Sequence, residues 1–303
     1  MGVYCQVDRY HWYQLVLLNI QIVQLWVILV EDKLTGILDY FSLRARVFQA
    51  GSLCHSVTFD EGDGLAYIHL LKAGTLRITY PDKTAVNLEE PSLFFSMNPT
   101  THHLQPAATG ADLVCASFDF GNGLKNPLAQ ALPDVVILTL SEIPSMDASL
   151  KLLFSEAQDN FSGQQSLLNR LIEVVIIQLI RELIEQKHLQ MGLLAGLAEP
   201  RLVKAITAIH KEPAKAWTLN NLAEIAGMSR ARFAVKFRET VGITPGQYLS
   251  DWRIGVAQSL LRRGKTLQLV ADTVGYANTS AFSRAFSMHV GTSPAVWRKQ
   301  FMA

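Results

Sequence analysis

Cysteine is scarce in this sequence, and the spacings that usually mark metal sites are missing. Three cysteines, Cys5, Cys54 and Cys115, are spread over 303 residues, and neither a Cys-x-x-Cys nor a His-x-His pair occurs. These absences exclude a disulfide framework and the common structural zinc patterns. They favour a reducing compartment, and we therefore expect a cytoplasmic protein.

Charge is also sparse, since 17% of the residues are charged and the net charge is +1. The average conceals an asymmetry along the chain. Residues 217–303 carry 11 Lys and Arg against 4 Asp and Glu, whereas the remainder carries 16 against 22. A basic C-terminal region on an acidic N-terminal region predicts that only the basic region contacts a polyanion.

Residues 1–30 form an apolar stretch that lacks the flanks of a targeting segment. Residues 10–30 are just long enough to span a bilayer, but His11 and four amide side chains interrupt them and basic flanking residues are few. A signal peptide is disfavoured because no small-x-small cleavage site follows. We interpret residues 1–30 as an extension from a misassigned start codon, with a membrane anchor as the alternative.

A repeat of about 50 residues organises the region from 217 to 301. Each unit reads as a short helix, a tight turn and a second helix, followed by Gly-x-x-Pro. Two positions of the first unit recur 48 residues later, Ala223 as Ala271 and Gly227 as Gly275. Four more recur 49 residues later: Phe233, Phe237, Gly242 and Pro245 become Phe282, Phe286, Gly291 and Pro294.

The spacing of each unit predicts a helix-turn-helix. Thr218 and Thr266 are good N-caps for a first helix, and Gly227 and Gly275 can adopt the left-handed conformation that ends it. The paired phenylalanines lie four residues apart and face inward, which leaves the opposite face of each second helix for a partner. Such a helix fits the major groove of DNA; an all-helical domain without a nucleic-acid partner is the alternative.

The tandem unit resembles the DNA-binding domain of AraC/XylS-type bacterial transcription regulators. The residues that carry the resemblance are Gly-Ile-Thr-Pro-Gly-Gln-Tyr-Leu at 242–249, Trp252-Arg253, and Gly275-Tyr276 followed by Ala-Phe-Ser-Arg-Ala-Phe at 281–286. The resemblance implies that both second helices enter successive major grooves and are joined by a longer helix over 245–263. It implies DNA contacts by Ser229, Arg230, Ala231, Ala234, Val235 and Lys236, and by Asn278, Thr279, Ser280, Ser283 and Arg284.

The candidate contact residues differ in what they can recognise. Arg284 is the best candidate for guanine, because an arginine can bond both O6 and N7. The alanines and the valine of the first unit lack hydrogen-bonding side chains but fit thymine methyl groups. Phosphate contacts, or simple solvated charges, are expected of Arg232, Lys236, Arg238, Arg262 and Arg263.

Residues 31–144 read as a small antiparallel barrel or jelly roll. Short alternating runs fill this stretch, with turn residues between them, among others at 72–74 and 109–110. Residues 68–69, 88–93, 99–103, 113–115 and 126–133 resemble the cupin-type sensor of the same family, and this resemblance implies an effector pocket. The candidate lining residues are Tyr67, His69, Phe95, His103 and Cys115.

A metal is not expected in this barrel, because the His-x-His of metal-binding cupins is missing. If one were bound, His69, His103 and Cys115 would be the best set of ligands. A cupin-type metal-dependent enzyme with a DNA-binding tail is therefore the alternative reading of the whole chain. A fused alkylation-repair methyltransferase is not supported, since no reactive-cysteine motif resembles its own.

Residues 145–189 have helical periodicity and precede a predicted linker at 190–200. The apolar positions Leu168, Ile172, Val175 and Leu179 have the 4-3-4 spacing that suits packing against another helix. We predict that this face pairs with a second subunit in a homodimer, with packing inside the same chain as the alternative. Residues 201–303 then form the DNA-binding domain.

The sequence thus predicts an α+β multidomain protein: a cupin-like barrel with flanking helices, then an all-α domain of two tandem helix-turn-helix motifs. We expect a regulator of transcription that binds double-stranded promoter DNA in response to an unknown small-molecule effector. No cofactor and no enzymatic activity are expected. The resemblance favours an activator, for which RNA polymerase would be a further partner.

Overall fold

The computed structural model describes residues 32–59, 65–97, 101–121, 127–158, 161–185 and 191–299. The interpretation of residues 1–30 therefore concerns a segment outside these ranges. Within them, none of the helices combines the length and the apolar character that crossing a bilayer requires. The first helix, α1 (Thr35–Leu38), follows Asp32, whose carboxylate accepts hydrogen bonds from the backbone nitrogens of Leu34 and Thr35.

The described residues of the N-terminal half form an antiparallel sheet of seven strands. They are β1 (Arg44–Leu53), β2 (Val57–Phe59), β3 (Ala66–Thr79), β4 (Ala85–Leu88), β5 (Ser92–Ser96), β6 (His102–Asp119) and β7 (Val135–Thr139). The order is β1-β6-β3-β5-β7, with β2 paired to β6 and β4 to β3. This sheet-rich domain confirms the predicted cupin-like architecture.

The two long strands β3 and β6 run through positions that the sequence predicted as turns. Their pairing shifts register around residues 71–76, and Gly74 and Gly110 both have positive φ there. A Cβ atom on Gly74 would lie 2.6 Å from the carbonyl oxygen of Gly110. The prediction of turns at 72–74 and 109–110 was wrong, because these glycines form irregularities within paired strands that bend together.

Helices cover the outer side of the sheet. They are α2 (Pro127–Ala131), α3 (Asp147–Glu156) and α4 (Gln164–Glu185), with 3₁₀ turns at Leu140–Glu142 and Pro144–Met146. Polar side chains on one face of α4 bind the free edge of β1. Asn169 Oδ1 accepts a hydrogen bond from Val47 N at 2.8 Å, and Gln165 Nε2 donates to Val47 O at 2.8 Å. The edge is thereby protected from pairing with another chain.

The apolar face of α4 that was predicted to form a dimer is buried within the chain. Leu168, Ile172, Val175 and Leu179 are at most 3% exposed in the single subunit. They pack in the core that the helices share with the outer face of the sheet. The predicted dimer contact through this face is therefore wrong, because residues of the same chain already fill the space against it.

The predicted linker contains a buried helix rather than open chain. Helix α5 (Leu193–Ala198) lies within it, and its residues Leu194 and Leu197 are fully buried. A Cβ atom on Gly196 of this helix would lie 2.6 Å from Ile206 Cδ1. The glycine allows α5 to pack closely on the C-terminal half.

The C-terminal half consists of helices α6 to α12. They are α6 (Leu202–Lys211), α7 (Leu219–Ile225), α8 (Arg230–Val241), α9 (Pro245–Arg262), α10 (Leu267–Thr273), α11 (Thr279–Val290) and α12 (Pro294–Lys299). Two helix-turn-helix units, α7–α8 and α10–α11, are joined by α9. The predicted all-α domain and its connecting helix are confirmed.

Candidate nucleic-acid interface and barrel interior

The second helix of each unit begins at a capping side chain. Ser229 Oγ accepts a hydrogen bond from the backbone nitrogen of Arg232 at 3.4 Å, and Asn278 Oδ1 accepts one from that of Ala281 at 2.8 Å. Gly227 and Gly275 have φ angles of 62° and 77°, as the turn requires. The inward phenylalanines Phe233, Phe237, Phe282 and Phe286 are all fully buried.

The candidate DNA contacts lie on the faces that these phenylalanines leave free. The exposed members are Ser229, Arg230, Ala231, Val235, Asn278, Ser280 and Arg284, and the half-buried ones are Ala234, Lys236, Thr279 and Ser283. None of them belongs to the buried core. Both recognition helices therefore present their candidate residues to solvent, where a duplex can reach them.

Arg253 of the connecting helix fixes the two units relative to each other. Its Nε donates to the carbonyl oxygen of Pro213 at 2.8 Å and its Nη2 to that of Lys215 at 2.9 Å, while the guanidinium lies 6.0 Å from the ring centroid of Tyr276. At the same place, a Cβ atom on Gly275 would lie 2.5 Å from Ala214 O. The loop before the first unit is thus seated against the turn of the second.

An apolar cleft of about 490 Å³ opens beside α8 in the first unit. Sequence reasoning missed it, because its walls come from three separate segments. Its lining residues are Trp217, Leu219, Leu222, Ala234, Val235, Arg238, Thr244, Pro245, Gly246 and Leu249. The outward face of α8 therefore borders an apolar surface.

The segment after α1 joins the barrel half to the connecting helix α9. Ser259 Oγ donates to the carbonyl oxygen of Tyr40, and Arg263 Nη2 donates to that of Asp39 at 2.9 Å. Arg262 is half-buried at this joint. Both arginines were expected to be phosphate contacts or solvated charges. The structure instead places Arg263 against the barrel half, and Arg262 is only partly exposed.

A buried histidine lies at the centre of this joint. The ring of His210 stacks on Trp252 at a centroid distance of 3.7 Å, and its Nε2 lies 2.5 Å from Tyr248 Oη. Phe41 packs edge-on against the same tryptophan from the barrel side. Burial lowers the pKa of His210 to about 3, so the ring is neutral at physiological pH.

The inner face of the barrel brings together an aromatic and histidine cluster. His69 Nε2 lies 2.9 Å from His102 Nε2, so one ring donates and the other accepts. Phe59 and Tyr67 pack against both rings. Burial, and secondarily the neighbouring His102, holds the pKa of His69 well below its usual value.

Of the five predicted pocket residues, Tyr67, His69 and Cys115 share this inner surface and two do not. His69 pairs with Cys115 across β3 and β6 and with Phe94 across β3 and β5. Burial raises the pKa of the Cys115 thiol well above its ordinary value, which keeps it protonated.

The placements of Phe95 and His103 were wrong. Phe95 stacks on Phe118 in the core beneath the helices, and the half-exposed His103 bonds Thr58 Oγ1 at 2.8 Å. Because side chains alternate along a strand, the neighbours Phe94 and His102 occupy the inner positions instead.

The residues of this cluster do not make a metal site. Within the described part of the chain, no three His, Cys, Asp or Glu side chains are arranged to hold a metal ion. The fold family is known for such sites, but the two inward histidines are bonded to each other here.

Comparison with known proteins defines the class to which this fold belongs. The Cupin family matches residues 32–185, and the family described as a helix-turn-helix domain matches residues 222–300. An AraC-like transcription regulator of Streptomyces lividans is 33% identical over 192 residues, which are 62% of this chain and 63% of that protein. The alignment thus spans less than two thirds of that relative.

Two further relatives align over more of the chain. An uncharacterized HTH-type transcriptional regulator of Haemophilus influenzae is 28% identical over 79% of this chain and 87% of its own length. The RCS-specific HTH-type transcriptional activator RclR of Escherichia coli is 28% identical over 77% and 84%. The chain belongs to the AraC-type regulators that carry an N-terminal cupin domain.

Proposed function

We propose that the protein is an effector-responsive, sequence-specific activator of transcription that binds promoter DNA through α8 and α11. The observation that carries this proposal is the pair of capped recognition helices with exposed outward faces, held in one arrangement by Arg253. A fixed pair of this kind suits two successive major grooves on one side of a duplex. Such a protein would act in the cytoplasm, where promoter DNA is found.

The barrel interior is the proposed effector site. Its ring cluster of Phe59, Tyr67, His69 and His102 combines apolar surface with a polar nitrogen pair, which suits a small organic molecule with one polar group. The joint between residues 39–42 and α9 would transmit the response, because it connects the barrel half to the helix that joins the two units.

Activation, and with it a contact to RNA polymerase, is proposed because the Escherichia coli relative is named as an activator. A homodimer is retained as a proposal, but through a surface other than the buried face of α4. The alternative of a metal-dependent enzyme is tested by metal analysis of the purified protein, in which stoichiometric bound metal would favour the enzyme.

Sequence-specific binding is tested by titrating the full chain against a duplex selected from a random library. We expect binding to this duplex to persist at physiological salt, whereas binding to a random duplex declines steeply as salt rises. Arg284→Ala should cost about 1–3 kcal/mol on the selected duplex. Arg181→Ala, an exposed arginine on α4, serves as the control and should have no effect. Equal affinity of wild type and Arg284→Ala would contradict the placement of α11.

A further inference from the structure

The two recognition helices present different chemistry at equivalent positions. Residues 49 positions apart take the same place in the two units, as the buried pairs Phe233 with Phe282 and Phe237 with Phe286 show. On the outward face the first unit has Ala231, Ala234 and Val235, where the second has Ser280, Ser283 and Arg284. The same scaffold is therefore apolar in one unit and hydrogen-bonding in the other.

Lysine and arginine residues, in contrast, are more numerous on the first recognition helix than on the second. Helix α8 carries Arg230, Arg232, Lys236 and Arg238, whereas the equivalent positions of α11 are Thr279, Ala281, Ala285 and Ser287. In α11, every residue of which is described, Arg284 is the only lysine or arginine. Charges that suit phosphates thus surround the apolar face of α8, while α11 has its single cation on the outward face.

The apolar character of the first unit extends beyond its recognition helix. Ala234 and the 58%-exposed Val235 line the apolar cleft together with Trp217. Before the turn the two units are offset by 48 residues, so the residue equivalent to Trp217 is Lys265. After the turn the offset is 49, so the residue equivalent to Val235 is Arg284. An extended surface of this composition leaves the outward face of α8 with few side-chain groups that can hydrogen-bond to base edges.

We propose that the two units divide recognition: the first is held by phosphates and reads thymine methyl groups, and the second reads guanine through Arg284. The thymine methyl is the apolar group that the major groove offers, and guanine offers the paired acceptors that suit an arginine. This division rests on the proposed function and goes further, because it makes the two units unequal and gives the operator a fixed polarity.

The experiment uses the full chain and versions of the selected duplex in which one functional group of a base has been removed. Deoxyuridine in place of thymidine deletes only the 5-methyl group, and 7-deazaguanine deletes only the N7 acceptor. We expect deoxyuridine in the patch under α8 to weaken binding roughly fourfold for each methyl that the protein buries. We expect 7-deazaguanine to weaken binding, roughly fivefold or more, only in the patch under α11.

Matched variants assign each effect to its side chain. Val235→Ser removes both methyl groups and should abolish much of the deoxyuridine effect, whereas Val174→Ser on α4 should leave it unchanged. Arg284→Ala should abolish the 7-deazaguanine effect. Arg232→Ala should lower the slope of log affinity against log salt by about one, and Arg284→Ala should leave that slope unchanged.

The outcomes distinguish a failure of the division of recognition from a failure of sequence-specific DNA binding itself. Suppose that the unmodified selected duplex is bound specifically, but deoxyuridine does not weaken binding in the patch under α8, or weakens it only in the patch under α11. The division of recognition is then overturned, while sequence-specific DNA binding stands. If no duplex is selected over random DNA, the proposed function itself has failed. If Val235→Ser left all DNA affinities unchanged, the division of recognition would likewise be overturned.

Discussion

The barrel buries its candidate functional side chains, whereas the helix-turn-helix region exposes them to solvent. In the barrel the functional candidates His69 and Cys115 are buried inside the sheet, whereas in the C-terminal half Arg284 and Asn278 are exposed. The buried phenylalanines of the helical units only hold the scaffold. The proposed effector site therefore lies in the interior of the barrel, whereas the proposed DNA contacts lie on the surface of the helices.

The largest loss of stability is expected from removing a scaffold phenylalanine of the helical half. Phe282 is fully buried, and Phe282→Ala should lower the free energy of unfolding by about 3–5 kcal/mol through lost burial and a cavity. Met288→Ala on the same helix should change it by less than about 0.5 kcal/mol, because Met288 is 88% exposed. Urea denaturation measures both; similar losses would show that the helix is packed differently.

Acid should destabilise the protein through its buried histidines. The folded-state pKa of His210 is about 3, so below pH 6.5 the unfolded chain binds a proton that the folded chain does not. The stability contributed by the neutral ring is full above pH 6.5 and declines as pH falls, by about 2 kcal/mol at pH 5. Denaturation of wild type at pH 7 and pH 5 measures the loss.

The matched control for this prediction is the double variant His210→Phe with Tyr248→Phe, which removes both hydrogen-bonding partners together. Its loss of stability between pH 7 and pH 5 should be smaller than that of the wild type. Some pH dependence should remain, because the pKa of His69 is also lowered. An identical pH dependence in both proteins would contradict a buried, neutral His210.

The inside and outside of β6 can be distinguished by two adjacent histidines. His102→Leu leaves the buried His69 Nε2 without its partner and should cost about 1–3 kcal/mol of stability. His103→Leu loses only the bond to Thr58 at a half-exposed position and should cost no more than about 1 kcal/mol. Thermal unfolding measures the loss of stability in both variants. A larger loss for His103→Leu than for His102→Leu would mean that the register of β6 is shifted by one residue.

The smallest effect is expected at the joint between the halves. Arg263→Ala removes hydrogen bonds to backbone carbonyls of residues 39 and 40 and should cost about 1 kcal/mol of stability. The salt dependence of DNA binding should not change. A slope lower by about one would instead identify Arg263 as a phosphate contact.

The sequence predicted the helical half more accurately than the barrel for a physical reason. Helix caps such as Thr218 and Asn278, and turns such as that at Gly275, depend on neighbouring residues and occur in both repeats. The inner face of a strand depends on register, and a shift of one residue exchanges Phe94 with Phe95 or His102 with His103. Contacts across the joint, such as Ser259 with Tyr40, join residues over 200 positions apart and left no pattern in the sequence.

The most direct test of the account is a footprint of the full chain on its selected duplex at physiological salt. If both α8 and α11 contact the duplex, two major-groove patches on one face of the DNA should be protected, about one helical turn apart. Arg284→Ala should weaken one patch selectively. A single protected patch, or uniform protection that disappears as salt rises, would contradict a protein that uses both recognition helices.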